Sequence, residues 1–206
     1  MATTPNYGWV TPDNTSFVKD GAQSIRNVSN SIDATSAGAN FAGLVLIKTQ
    51  AFTAVTAVIV TSAFTATYDN YCVVLRYIQN TTTANLFYQN AAAGTQNATN
   101  YGGNGFNVAG NGASGVFAVT GAGGTGATQL TIGSAGSGIA FHTTATISSP
   151  AIASVTQMNF NTSVSSSLQL VAGTHNLATA FDGFRLNVDA GTFTGNVAVY
   201  GYRKAI

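Results

Sequence analysis

Residues 181–206 read FDGFRLNVDAGTFTGNVAVYGYRKAI. Phe184, Leu186 and Val188 alternate with Arg185, Asn187 and Asp189, and Val197, Val199 and Gly201 alternate with Ala198, Tyr200 and Tyr202. A period of two puts successive side chains on opposite faces of a strand. The DAGTFTG segment between the two runs has the Asp and Gly content of a turn. The spacing therefore predicts a terminal β-hairpin.

Working back from this end, the same alternation recurs. In TYDNYCVVLRYIQ, Tyr71, Val73, Leu75 and Tyr77 share one face and Cys72, Val74, Arg76 and Ile78 the other, after an Asp69-Asn70 turn. Apolar residues on both faces suit a strand inside a packed sandwich. GLVLIKTQ and VTAVIVTSAF, between Gly43 and Phe64, are rich in Val, Ile and Thr and read as two strands. Lys48, Gln50 and the interspersed Thr and Ser argue against a membrane span there. Ala91 to Gly138 is rich in Gly, Ala, Asn, Thr and Ser, broken by apolar cores such as GFNV and TQLTIGS, which predicts short strands with long turns. SSPAIASVTQMNF and SVSSSLQLVAG add two more strands, with Pro150 expected at an edge or strand start. About eight short strands with turns between them predict a mainly β fold, a β-sandwich of jelly-roll type, over residues 43–206.

Ahead of it the period changes. In TSFVKDGAQSIRNVSNSIDAT, residues 15–35, Val18, Ile25 and Ile32 fall seven apart, with Gly21 and Val28 between them and polar residues on the outer faces. That is a short heptad seam on an amphipathic helix. Thr11 and Pro12 supply an N-cap and a proline suited to the first turn, so the helix is expected over residues 12–34. Residues 1–11 form an irregular arm and 35–42, TSAGANFA, a small-residue linker. Burying Val18, Ile25, Val28 and Ile32 against other chains is worth about 1.5–3 kcal/mol each, against an association cost of about 4–15 kcal/mol. The stem alone does not hold an oligomer together. Ile at the first seam position suits two or three strands, and without Leu at the other position three is the number expected. The competing reading lays the helix on its own β domain.

Charged residues make up only 6% of the 206, Glu is absent, and no Lys, Arg, Asp or Glu occurs between Tyr77 and Phe181. Typical soluble chains carry about 25% charged residues. With 45% hydrophobic residues the chain is not a disordered one. A surface this neutral favours association, which a closed homo-oligomer satisfies. A net charge of +1 gives no basic patch for nucleic acid or an anionic membrane. MATTPNYGW has neither the basic nor the apolar region of a signal peptide, so synthesis in a cytoplasm is expected.

The residues offer little chemistry. Cys72, the single cysteine, sits in an apolar run and reads as a buried small hydrophobe. His142 and His175 have no metal-ligand spacing to other donors, and Asp69, Asp182 and Asp189 lie in or beside turns. GAGGTG, residues 121–126, satisfies a phosphate-loop pattern but precedes no helix and lacks the later acidic residue. No G-x-S-x-G elbow occurs. No catalytic residue, cofactor or metal is expected. A neutral polymer such as a glycan is the ligand the composition allows. Tyr88, Asn90, Gln96, Asn97, Asn100, Tyr101, Asn104, Phe106 and Asn107 offer rings and amides without charge. The bland alternative is a Gly-Asn segment that merely turns. Trp9, with Tyr7 beside it, is a rigid aromatic anchor for a partner's groove, or else packs on its own stem.

Three segments, NYGWVTPDNTSFVKDGAQSIRNVSNSID, GLVLIKTQAF with FTATYDNYCVVL, and GTHNLATAFDGFRLNVDAGTFTGNVAVYGYRK, resemble structural proteins of tailed bacteriophages described as tail fibre, minor tail or head-fibre proteins. The resemblance covers both ends and about half the chain; residues 84–147 lie outside it. It implies a homotrimer in the virion, its N-terminal arm bound to other virion proteins and its β domain turned outward toward the host surface. Tail and capsid locations both stay open.

Overall fold

The computed structural model describes residues 2–5, 9–11, 20–38, 43–79, 81–108, 114–117, 126–165 and 167–202. They group into two compact units that divide between Ala42 and Gly43.

In the first unit β1 (Ala2–Thr3) pairs antiparallel with β2 (Val10–Thr11). The Thr4 N–H donates to the Trp9 carbonyl at 2.9 Å, and the Trp9 N–H donates to Thr4 Oγ1 at 3.0 Å. The arm is thus a small ribbon rather than irregular. Its register comes from backbone pairing, which aromatic content does not signal. The helix α1 runs Gly21–Gly38. Its expected start at Pro12, with Val18, lies outside the described residues. Its end passes Ala34, so residues 35–38, expected as linker, are helical. Ala and Ser there propagate an existing helix well enough that Gly38 is its first strong stop. Gln23 Nε2 donates to Asn27 Oδ1 (2.9 Å) and Arg26 to Gln23 Oε1 (3.0 Å), bracing the polar face.

The second unit is mainly β: two antiparallel sheets packed face to face. Its strands are β3 (Leu44–Val55), β4 (Ala57–Val60), β5 (Asn70–Gln79), β6 (Ala84–Ala92), β7 (Thr95–Gln96), β8 (Tyr101–Val108), β9 (Ser114–Phe117), β10 (Leu130–Ala135), β11 (Ala140–Ser148), β12 (Thr156–Val164), β13 (Ser167–His175), β14 (Gly183–Val188) and β15 (Phe193–Tyr202). The large sheet has the order β3-β15-β5-β11-β12-β13-β8-β9, and the small one β10-β6-β14-β4 with β7 on β6. Their facing sides carry the core. Val58, Val60, Phe184, Leu186, Leu86, Tyr88, Leu130 and Ile132 come from the small sheet, Tyr71, Val73, Leu75, Tyr77, Phe141, Ile147, Phe160, Val197 and Val199 from the large one. Tyr88 meets Phe160 across the sandwich at 5.2 Å and stacks on Phe184 at 5.4 Å, while Tyr77 stacks on Phe141 at 4.2 Å.

The C-terminal alternation does mark two strands, but they do not form a hairpin. β14 pairs with β4 and β6 in the small sheet, and β15 with β3 and β5 in the large one. Residues 189–192 carry the chain from one sheet to the other, and the turn is shorter than expected because Phe193 is already in β15 and fully buried. Alternation assigns faces to a strand; it does not choose the strand's neighbours. Within Ala91 to Gly138, β9 and β10 are short as expected, whereas β8 runs eight residues. Pro150 sits in the turn after β11, next to Ser149 at φ 58°, and not at a strand start.

Candidate functional site

The outward side of the small sheet is covered in part, over β6 and β14. Gln89 is buried there, donating to the Thr128 carbonyl at 2.9 Å and accepting from Arg185 at 2.8 Å, and Asn187 donates to Gln129 at 3.3 Å. The segment at Ala127–Gln129 therefore covers that part. The outward side of the large sheet is open, and strand register sets its chemistry. One rung runs Gly102, Thr174, Gln157; the next Asn104, Ala172, Asn159, Thr146; the next Phe106, Leu170, Asn161, Thr144. Two grooves of about 410 and 700 Å³ lie on this face and share Asn104, Asn159 and Ala172. Each is lined by side chains without formal charge. The concavity has a local cause: Gly102 and Ala172 stand between longer neighbours, so the floor is backbone and methyl while amides rise beside it.

Of the receptor-contact residues expected from sequence, the structure brings only Asn104 and Phe106 to this face, Phe106 at 41% exposure. Tyr88, Asn90 and Tyr101 are corrected: all three are buried. Tyr88 donates to Asn90 Oδ1 at 2.8 Å; the Tyr101 hydroxyl accepts the Asn90 N–H at 2.6 Å and donates to the Asn97 carbonyl at 3.0 Å. These bonds pair the two hydroxyls with Asn90 and with the Asn97 carbonyl beneath the β6–β8 connection, whose residues 93–100 are themselves partly or fully exposed. Burial pushes both tyrosine hydroxyls well above their ordinary range. Asn97 and Asn100 serve the turn: Asn97 Oδ1 accepts the Thr99 N–H at 3.1 Å, and Asn100 adopts φ 65°, a left-handed conformation asparagine tolerates. Thr144, Thr146, Gln157, Asn159 and Asn161 went unnamed by sequence reasoning. Their one signal is polar residues at every second position in AFHTTATIS and TQMNFNTSV.

In the stem, Ile25 is 68% and Ile32 40% exposed, with Gly21 and Val28 half-buried, so two of the expected seam residues face solvent. Val18 and Tyr7 lie outside the described residues. Trp9 is half-buried within its ribbon.

No described group of three His, Cys, Asp or Glu side chains could hold a metal, and no described helix is long and apolar enough to cross a membrane. Residues 121–125 of GAGGTG lie outside the described residues. Asp182 Oδ1 accepts the Ala93 N–H at 3.0 Å, and Asp189 accepts the Asn85 N–H at 2.9 Å and its amide at 2.7 Å. Both carboxylates tie loops to strands. Cys72 is buried, which raises its thiol pKa.

His142 is exposed, whereas His175 is fully buried between the edges of Tyr101 (5.0 Å) and Phe181 (4.9 Å). Burial lowers its pKa below the ordinary imidazole value. The unfolded chain then binds a proton that the folded one resists, so this contribution to stability is intact above pH about 6.5 and is lost as the pH falls below it. The urea midpoint is expected to drop between pH 7.5 and 5, and the drop to shrink in His175→Phe. An equal drop in both proteins would refute the assignment.

What fold and face define together is a two-sheet antiparallel protein with an open amide-and-hydroxyl surface over β8 and β11–β13, bordered on β5 by the exposed Arg76 opposite His142. Compared with models of known protein families the chain matches none, and no curated protein is significantly similar to it.

Proposed function

We propose that the chain is a structural protein of a bacteriophage virion, a homotrimeric fibre or spike with a three-stranded helical stem and a jelly-roll β unit that contacts the host surface. The observation that carries this reading is a nested wrap. Take β3, β4, β5, β6, β10, β11, β14 and β15 as eight successive strands. The first pairs with the eighth, the second with the seventh, the third with the sixth and the fourth with the fifth. That is the order produced by folding one long antiparallel ladder into a double-sheet jelly roll. β7–β9 and β12–β13 are then insertions, and β12, β13, β8 and β9 extend one sheet beyond β11. The solvent-facing Ile25 and Ile32 and the charge-poor surface favour self-association. The resemblance of both chain ends to phage structural proteins supplies the setting, with the Tyr7 and Trp9 arm meeting other virion proteins.

A second reading, a capsid-associated head fibre or decoration protein, draws on a different feature. β3 is a free edge strand whose Leu44 and Leu46 are exposed beside Tyr202, an apolar strip suited to bracing a neighbour. Light scattering of the purified chain tests the oligomer. A mass of about 63 kDa, three times the 20.9 kDa chain, is expected of a closed ring of three. A stable 20.9 kDa species would refute the trimer.

A further inference from the structure

The open face of the large sheet is built unlike a protein-docking surface. The side-chain amides of Asn104, Gln157, Asn159 and Asn161 make no hydrogen bond among the described residues, although each offers two donors and an acceptor. Gln157, Asn159 and Asn161 recur along β12 at about twice 3.3 Å, and Asn104 faces them from β8, about twice 4.8 Å away across Ala172 of β13. The result is a row of amide donors and acceptors with one more amide across a shallow floor. Beside it stand the Phe106 ring and Leu170, at 41% and 40% exposure, on one rung of the register. An amide array next to one apolar ring matches a sugar, whose hydroxyls donate and accept at its rim and whose C–H face is apolar. A protein partner would need a more apolar centre and would leave many of these amides unpaired on burial. The absence of Lys, Arg, Asp and Glu from the lining selects against sulfated, phosphorylated or uronic-acid sugars.

We propose that the joined grooves over β8, β13, β12 and β11 bind a neutral oligosaccharide, with Phe106 as the stacking platform and Asn104, Asn159 and Asn161 as the hydrogen-bonding array. This deepens, and rests on, the host-contact part of the function proposed above. The site joins β8 to the consecutive strands β11, β12 and β13, and Tyr88, Asn90 and Tyr101 act behind it as scaffold.

The test titrates the full chain with maltohexaose, chitohexaose and mannohexaose, and with a hexamer of galacturonic acid as the charged control, by saturation-transfer NMR and calorimetry. At least one neutral probe is expected to bind with Kd below about 1 mM, and the charged one not to bind. Phe106→Ala and Asn159→Ala are each expected to weaken binding about tenfold or more, with unchanged melting temperature and unchanged mass in light scattering. Failure of all three neutral probes to bind, preference for the charged hexamer, or binding that survives both substitutions overturns the site. So does a change of oligomeric mass on Phe106→Ala, which would make the face a contact between copies. A chain that is found on virions and yet binds none of the neutral probes loses this site and keeps its virion assignment.

Discussion

Replacing Phe184 with alanine is expected to destabilise the β unit by about 3–5 kcal/mol. Phe184 is fully buried in β14, pairs in register with Val60 and Asn90, stacks on Tyr88 at 5.4 Å and meets Phe64 at 5.7 Å. It is the ring through which the centre of the small sheet reaches the loop after β4. Truncation removes its buried area and leaves a cavity walled by two other aromatic rings, Tyr88 and Phe64, which do not collapse easily. At roughly 2–4 °C per kcal/mol for a chain of this size, the melting temperature falls by about 6–20 °C. Phe106→Ala, on the open face, serves as the contrast and stays within about 0.5 kcal/mol. The measurement is urea unfolding at fixed protein concentration, because an oligomer's stability depends on concentration. A Phe184→Ala protein within about 1 kcal/mol of the parent would mean that the two sheets do not pack as described.

Gly195→Ala is the second large effect. Gly195 lies opposite Tyr77 on β5 and Phe52 on β3, at a register shift between Phe193 and Gly195. A Cβ there would fall on the Arg76 carbonyl oxygen and stand 2.8 Å from Tyr77 Cα and Cβ. The nearest obstacle is backbone in the middle of a ladder, so relief requires β5 and β15 to separate. Phe193, packed on Phe52 at 4.9 Å, would be dislodged with them. The expected cost is about 3 kcal/mol or more. Gly195→Val is expected to yield no soluble folded protein. Gly126→Ala has open space around its Cβ and is the control expected to change nothing. A Gly195→Ala protein as stable as this control would contradict the bulge and the register of β15.

Much of this architecture is legible in the sequence because burial writes a period of two. Tyr71, Val73, Leu75 and Tyr77 alternate strictly, and all four are core. Pairing is not written that way. β14 and β15 both alternate, but their separation into two sheets depends on partners roughly ninety or more residues upstream. β11 leaves a weaker trace: its inward positions are Phe141, Thr143, Ala145 and Ile147, and the two middle ones do not look apolar enough to announce a buried face. Thr143 is buried because its hydroxyl lies 2.9 Å from Thr162, which donates to the Ile132 carbonyl. The candidate site is harder still. Gly and Asn around Tyr88, Asn90 and Tyr101 suggest an exposed loop by composition, whereas Asn90 is buried with its Oδ1 and N–H bonded to the Tyr88 and Tyr101 hydroxyls. Asn104 and Phe106 sit on the open face because the strand's alternation continues through YGGNGFNV. Asn159 and Thr146 join them only through register, a property of four strands together.

The most direct test of the virion assignment is immunogold electron microscopy of intact particles from cultures that produce this chain, using antibody against the β unit. Labelling is expected at a discrete projection on the particle, with the open sheet face accessible to antibody raised against the Phe106 surface. Protein found only in the soluble fraction of the lysate, with unlabelled particles, would contradict the assignment.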